Sequence, residues 1–156
     1  MKTMNFSIFI NAPKEKVWHT MLDDATYREW TQEFNTRGSW YEGDWSAGST
    51  IKFLGPGENG ELGGMVAKIN ENRLYEYVSI EHQGLISNGV IDTTSDAVKQ
   101  WTPAWENYTF TEKDGGTELH VEMRVPDNYA DEYKKMFETL WPRALKKLKE
   151  ITEKTL

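Results

Sequence analysis

The side chains able to do chemistry are few. The 156 residues contain three histidines, twenty-five Asp/Glu and no cysteine. Without cysteine there is no thiol nucleophile, no disulfide framework and no Cys-ligated zinc or iron–sulfur site. His19, His82 and His120 stand too far apart for a local metal motif such as H-E-x-x-H, and G-x-S-x-G is absent, so neither a metal nor an acyl-transfer triad is expected. No cofactor is expected either. His19 follows Trp18 on a short helix and His120 falls on the wet face of a strand, so both read as surface residues. His82 differs. It shares strand parity with Val78 and Ile80, and Glu106 shares parity with Tyr108 and Phe110, which points both inward. If consecutive strands pair antiparallel, the end of the first strand (His82) lies beside the start of the second (Glu106). Such a pair is a structural hydrogen bond at a rim of the sheet, a polar anchor for a ligand, or, with Tyr108, the acid–base set of an enzyme.

Other signals are weaker. Gly55-Pro56-Gly57-Glu58-Asn59-Gly60 matches G-x-G-x-x-G after a strand, but Glu61 to Ala67 continue as strand instead of opening a helix, and Glu58 would repel phosphate. It reads as a hairpin loop. Asn5-Phe6-Ser7 and Asn107-Tyr108-Thr109 are formal sequons inside predicted strands, read as chance matches. Aromatic residues number twenty, seven of them Trp. Trp40/Trp45 and Trp101/Trp105 come as pairs. Most belong to a core, yet seven exceed what a thin two-layer core needs, and Met65, Met123 and Met136 add adaptable surface. A pocket for a flat or flexible apolar ligand is the second reading.

These groups need elements to hold them. Met4 to Ile10 alternates as a half-buried strand. Pro13 opens a helix with Val17, Trp18, Met21 and Leu22 on one face, and Asp24 is expected to cap a second short helix carrying Tyr27 and Trp30 inward. Strands are predicted over about 36–43, 49–54, 61–70, 73–82, 104–112 and 117–125, separated by glycine-bearing turns. The last is the clearest: Leu119, Val121, Met123 and Val125 face one way, and Glu118, His120, Glu122 and Arg124 the other. Gln83 to Thr102 is too long for a hairpin turn and either is functional or carries a small element of its own. From about Asn128 to Lys154 apolar residues keep helical spacing for roughly six turns, with Pro142 expected to kink the helix against the carbonyl of Glu138.

Length and charge bound the rest. One domain spanning 1–156 is expected. The net charge of −7 argues against nucleic acid as a partner. The apolar run Ile8-Phe9-Ile10 is too short for a signal peptide or a membrane span, so a cytoplasmic location is expected.

Several strings resemble one family. Ile10-Asn11-Ala12-Pro13-Lys14-Glu15-Lys16-Val17-Trp18 is similar to its passage from first strand to first helix. Asp24-Ala25-Thr26-Tyr27-Arg28-Glu29-Trp30-Thr31 resembles its second helix, and Gly43-Asp44-Trp45-Ser46-Ala47-Gly48-Ser49 with Phe53 its glycine-bounded turn. Gly115-Gly116-Thr117-Glu118-Leu119 resembles its last hairpin, and Trp141, Leu145 and Leu148 the end of its long helix. The family is the START-like (SRPBCC) superfamily, in the branch named after the activator of the heat-shock protein 90 ATPase. The resemblance implies an α+β helix-grip fold: a curved antiparallel sheet of about seven strands wrapped around a long C-terminal helix, with two short helices after the first strand and a deep cavity. Members bind lipids, sterols, polyketides and other apolar ligands, and some are cyclases or hydroxylase components. The superfamily shares no catalytic motif, so the resemblance assigns no catalytic residue. The chaperone activator also has a separate N-terminal domain, for which this sequence has no room.

Together these readings predict binding of a small apolar or amphipathic ligand between helix and sheet. The expected liners are Trp30, Trp45, Phe53, Met65, Ile80, Trp101, Tyr108, Met123, Met136 and Leu140, with His82 and Glu106 as polar anchors. The alternatives are a cyclase- or hydrolase-like enzyme using His82, Glu106 and Tyr108, and a module with a chaperone as partner.

Overall fold

The computed structural model describes residues 1–154. The chain runs β1 (Lys2–Ile10), α1 (Lys14–Leu22), α2 (Asp24–Trp30), a 3-10 turn (Thr31–Glu33), β2 (Trp40–Gly43), β3 (Thr50–Pro56), β4 (Leu62–Arg73), β5 (Tyr77–Ser87), β6 (Val90–Asp92), α3 (Asp96–Lys99), β7 (Ala104–Lys113), β8 (Gly116–Val125) and α4 (Asp127–Lys154). Seven strands form an open antiparallel path in the order β1-β8-β7-β5-β4-β3-β2, and β6 pairs with β5 off that path. The expected α+β helix-grip architecture is present, with eight strands among the described residues instead of about seven.

Alternation builds the sheet. In β8 Leu119, Val121, Met123 and Val125 are buried on the helix side, as their period of two requires. α4 crosses this face and buries Phe137, Trp141, Ala144, Leu145, Leu148 and Thr152. It stays helical through Pro142, whose side chain is exposed. Near its C-terminal end Lys149 Nζ donates to the Phe9 carbonyl at 2.7 Å, and the Asn11 N–H donates to Glu153 at 2.8 Å, fastening helix to β1.

One expectation is corrected, and the open one about Gln83 to Thr102 is resolved toward elements of its own. Asp24 does not cap α2: it is the first residue of that helix, follows the N-cap Asp23, and pairs with Arg28 one turn on. The stretch from Gln83 to Thr102 holds three pieces. β5 runs on to Ser87; Asn88 and Gly89, both at positive φ, turn it into β6; and Ser95 Oγ accepts from the Val98 N–H to start α3. Positive φ at both central residues is what a two-residue hairpin matching strand twist requires.

Aromatic donors hold the two short helices to each other and α1 to the sheet side. The Trp30 indole N–H donates to the Met21 carbonyl at 2.9 Å. The Tyr41 hydroxyl (2.6 Å) and the Trp45 indole N–H (3.1 Å) both donate to the carbonyl of Leu22. That carbonyl ends α1 and has no partner within the helix.

Candidate functional site

Between α2, α4 and the sheet lies a cavity of about 390 Å³. Its inner part is formed by buried Tyr27, Trp30, Tyr108, Met123, Phe137 and Trp141, and its outer part by half-buried Phe34, Asn35, Ser39, Gly55, Pro56, Gly57 and Gly63. Trp141 sits among rings, with centroids 5.0 Å from Phe34, 6.1 Å from Trp30 and 6.2 Å from both Phe6 and Tyr108.

The sheet wall explains why there is space. β3 and β4 pair Ile51 with Ala67, Phe53 with Met65, and Gly55 with Gly63, two residues apart each time. Alternation puts these pairs on one face. The first is packed core, the second lines the cavity, and the third has no side chains at all. Gly64, on the opposite parity, is fixed by its backbone: φ is +146° and a Cβ there would sit 1.9 Å from the Phe53 carbonyl oxygen.

The polar end is built by β5 and β7, whose register sets His82 opposite Ala104 and Ile80 opposite Glu106. His82 Nε2 lies 3.0 Å from Glu106 Oε1, and the Tyr108 hydroxyl donates to Glu106 Oε2. The His82 ring also packs on Phe53, centroids 5.8 Å apart. His82 Nδ1 is buried and has no hydrogen-bond partner among the described residues. Burial, then the neighbouring Glu106 carboxylate, pushes the Tyr108 phenol well above its usual range, so it remains a donor.

Seven of the twelve residues singled out by sequence line this cavity: Trp30, Phe53, Met65, His82, Glu106, Tyr108 and Met123. The other five do not. Ile80 is fully buried in the core beside Glu106. Trp45 packs on Tyr41 and Phe53, and Trp101 packs on Tyr129. On α4, Met136 is 42% exposed and Leu140 is half-buried outside the lining, while Phe137 and Trp141 line the cavity. One position along a helix is a rotation of about 100°, so spacing alone could not choose between adjacent apolar pairs. Sequence reasoning also missed Gly55 and Gly63, whose signal was glycine at inward parity in two paired strands.

An antiparallel sheet gripping one long C-terminal helix, with a cavity between them, defines a helix-grip protein of the START-like kind. The chain belongs to the family described as activator of Hsp90 ATPase homolog 1-like proteins, whose sequence profile matches residues 11–153. Solved structures agree on the fold. Protein MLL2253 from Mesorhizobium loti is 15% identical, with 99% of each chain covered and a TM-score of 0.73. ChR145 from Cytophaga hutchinsonii is 21% identical, with 99% of this chain and 96% of that one covered and a TM-score of 0.71. The Aha1 dimer from Colwellia psychrerythraea is 20% identical, with 98% and 97% covered and a TM-score of 0.66. No match is found among curated proteins. Among the described residues, no helix is long and apolar enough to cross a membrane.

Proposed function

We propose that this protein binds a small ligand with an apolar body and one polar group in the cavity between α4 and the sheet. The observation that carries the reading is the cavity itself: about 390 Å³, walled mainly by aromatic and aliphatic side chains, with polar groups gathered at His82, Glu106 and Tyr108. Ligand pockets are typically about 300–1,000 Å³, mostly apolar, with a few convergent polar groups.

The test is titration with the neutral fluorophore N-phenyl-1-naphthylamine, alongside native mass spectrometry of protein purified from its own source. Saturable binding at one site, weakened by Gly63→Leu, is the expected result. A fluorophore that does not bind, or binds equally well to that variant, overturns the reading.

A second reading is acid–base chemistry on the same ligand. It draws on the hydrogen bond between His82 and Glu106, which falls within the about 2.6–3.2 Å reach that proton transfer needs. Its measure is chemical conversion of a co-purified ligand, abolished in Glu106→Gln. The family description also names the Hsp90 ATPase. A chaperone-binding role would need an outer surface rather than this cavity, and co-sedimentation with purified Hsp90 tests it.

A further inference from the structure

The charge inside the cavity narrows the class of ligand, on the reading that the cavity binds one. Among the described lining residues none is Lys or Arg, and Glu106 is the one carboxylate. Its side chain is 16% exposed. Whether it is neutralised depends on where the protons of the His82–Glu106 pair sit, and His82 Nδ1 decides that.

With Glu106 Oε2 accepting from the Tyr108 hydroxyl, three arrangements satisfy the contact between Nε2 and Oε1. An imidazolium can face a carboxylate. A neutral carboxyl can donate to Nε2, leaving the ring proton on Nδ1. Or a neutral ring can donate from Nε2 to a carboxylate. The first two put a hydrogen on Nδ1, which is buried with no acceptor among the described residues, and an unpaired buried N–H is costly. Only the third leaves Nδ1 bare. It also suits Glu106 Oε2, which accepts from the Tyr108 hydroxyl. The pair therefore carries one negative charge and has no cation beside it in the lining.

Aromatic rings line the same space as that charge: Tyr27, Trp30, Phe34, Phe53, Tyr108 and Trp141. Ring faces attract cations, most strongly when the cation is desolvated. A carboxylate offers about four lone-pair sites, of which His82 and Tyr108 take two, so the site can still accept from a ligand. We infer that the cavity selects lipophilic cations, an amine or quaternary ammonium carried on an apolar body, over fatty-acid-like anions.

Displacement of N-phenyl-1-naphthylamine by octyltrimethylammonium, octanol and octanoate tests this with one chain length and three charges. The expected order is ammonium, alcohol, carboxylate, with about tenfold or more between the first and last, the scale of one desolvated cation against aromatic faces and a carboxylate. In Glu106→Gln the ammonium preference should fall to within about threefold. Octanoate binding as tightly as the ammonium, or a preference unchanged in Glu106→Gln, overturns the inference and leaves the cavity reading standing. Failure of the fluorophore to bind overturns both. Should Glu106→Gln not fold by circular dichroism, the order in the unmodified chain decides alone.

Discussion

The indole N–H of Trp141 donates to the sulfur of Met123 at 3.0 Å, joining α4 to β8 at the inner wall of the cavity. Both residues are buried. Met123→Leu nearly conserves volume but removes the acceptor, so the indole N–H is left unpaired. The expected cost is about 1–3 kcal/mol in urea unfolding. A loss below about 0.5 kcal/mol would mean the sulfur contact contributes only packing.

Alkaline pH should unfold the protein through its buried phenols. Burial first, and the Glu106 charge second, raise Tyr27 and Tyr108, and burial pushes Tyr129 up to about 12. Each keeps its proton in the folded state at pH values where the unfolded chain, near 10.0, loses it. Stability is thus fully present below about pH 10 and falls as pH rises from there through the raised values. Urea midpoints measured between about pH 9 and about pH 11 should decline, and Tyr108→Phe should flatten the decline. Parallel slopes for the two proteins would refute the assignment.

Neighbouring glycines should respond in opposite ways. A Cβ at Gly63 meets nothing nearer than 3.6 Å, so Gly63→Ala should keep the melting temperature while weakening fluorophore binding. Gly64→Ala forces a Cβ into the Phe53 carbonyl at an unfavourable φ and should cost at least about 2 kcal/mol. Thermal melts of the two variants decide it; equal stability would be the contrary outcome.

His82 and Glu106 should couple. In a double-mutant cycle with His82→Phe and Glu106→Gln, the interaction energy from urea unfolding should be about 1–3 kcal/mol, as expected for a buried bond to a charged group. Additivity within about 0.3 kcal/mol would place the two side chains in separate environments.

The polar pair was legible in the sequence because strand parity holds from Val78 to His82. Just beyond, Val66 pairs with Gly84 while Ala67 pairs with His82, so Gln83 is an extra residue that a strict period of two could not anticipate. The apolar period over Asn128 to Lys154 marked α4, but not which of Met136 or Phe137 turns inward; that depends on where Trp141 docks against Met123. Turn glycines were easy to see, whereas Gly55 and Gly63 become meaningful only once β3 and β4 are set in register.

That pair of glycines gives the cavity a one-sided mutability. Gly63 has no side chain left to lose, so every substitution there adds atoms to the wall and none removes them. Gly55 is more constrained, since a Cβ would lie 2.8 Å from both the Asn35 amide nitrogen and the Gly38 carbonyl oxygen. Drift at these two glycines can therefore shrink the range of molecules admitted but cannot enlarge it. A broader repertoire would have to come from the lining positions that carry side chains, by trimming Phe53, Met65, Phe137 or Trp141.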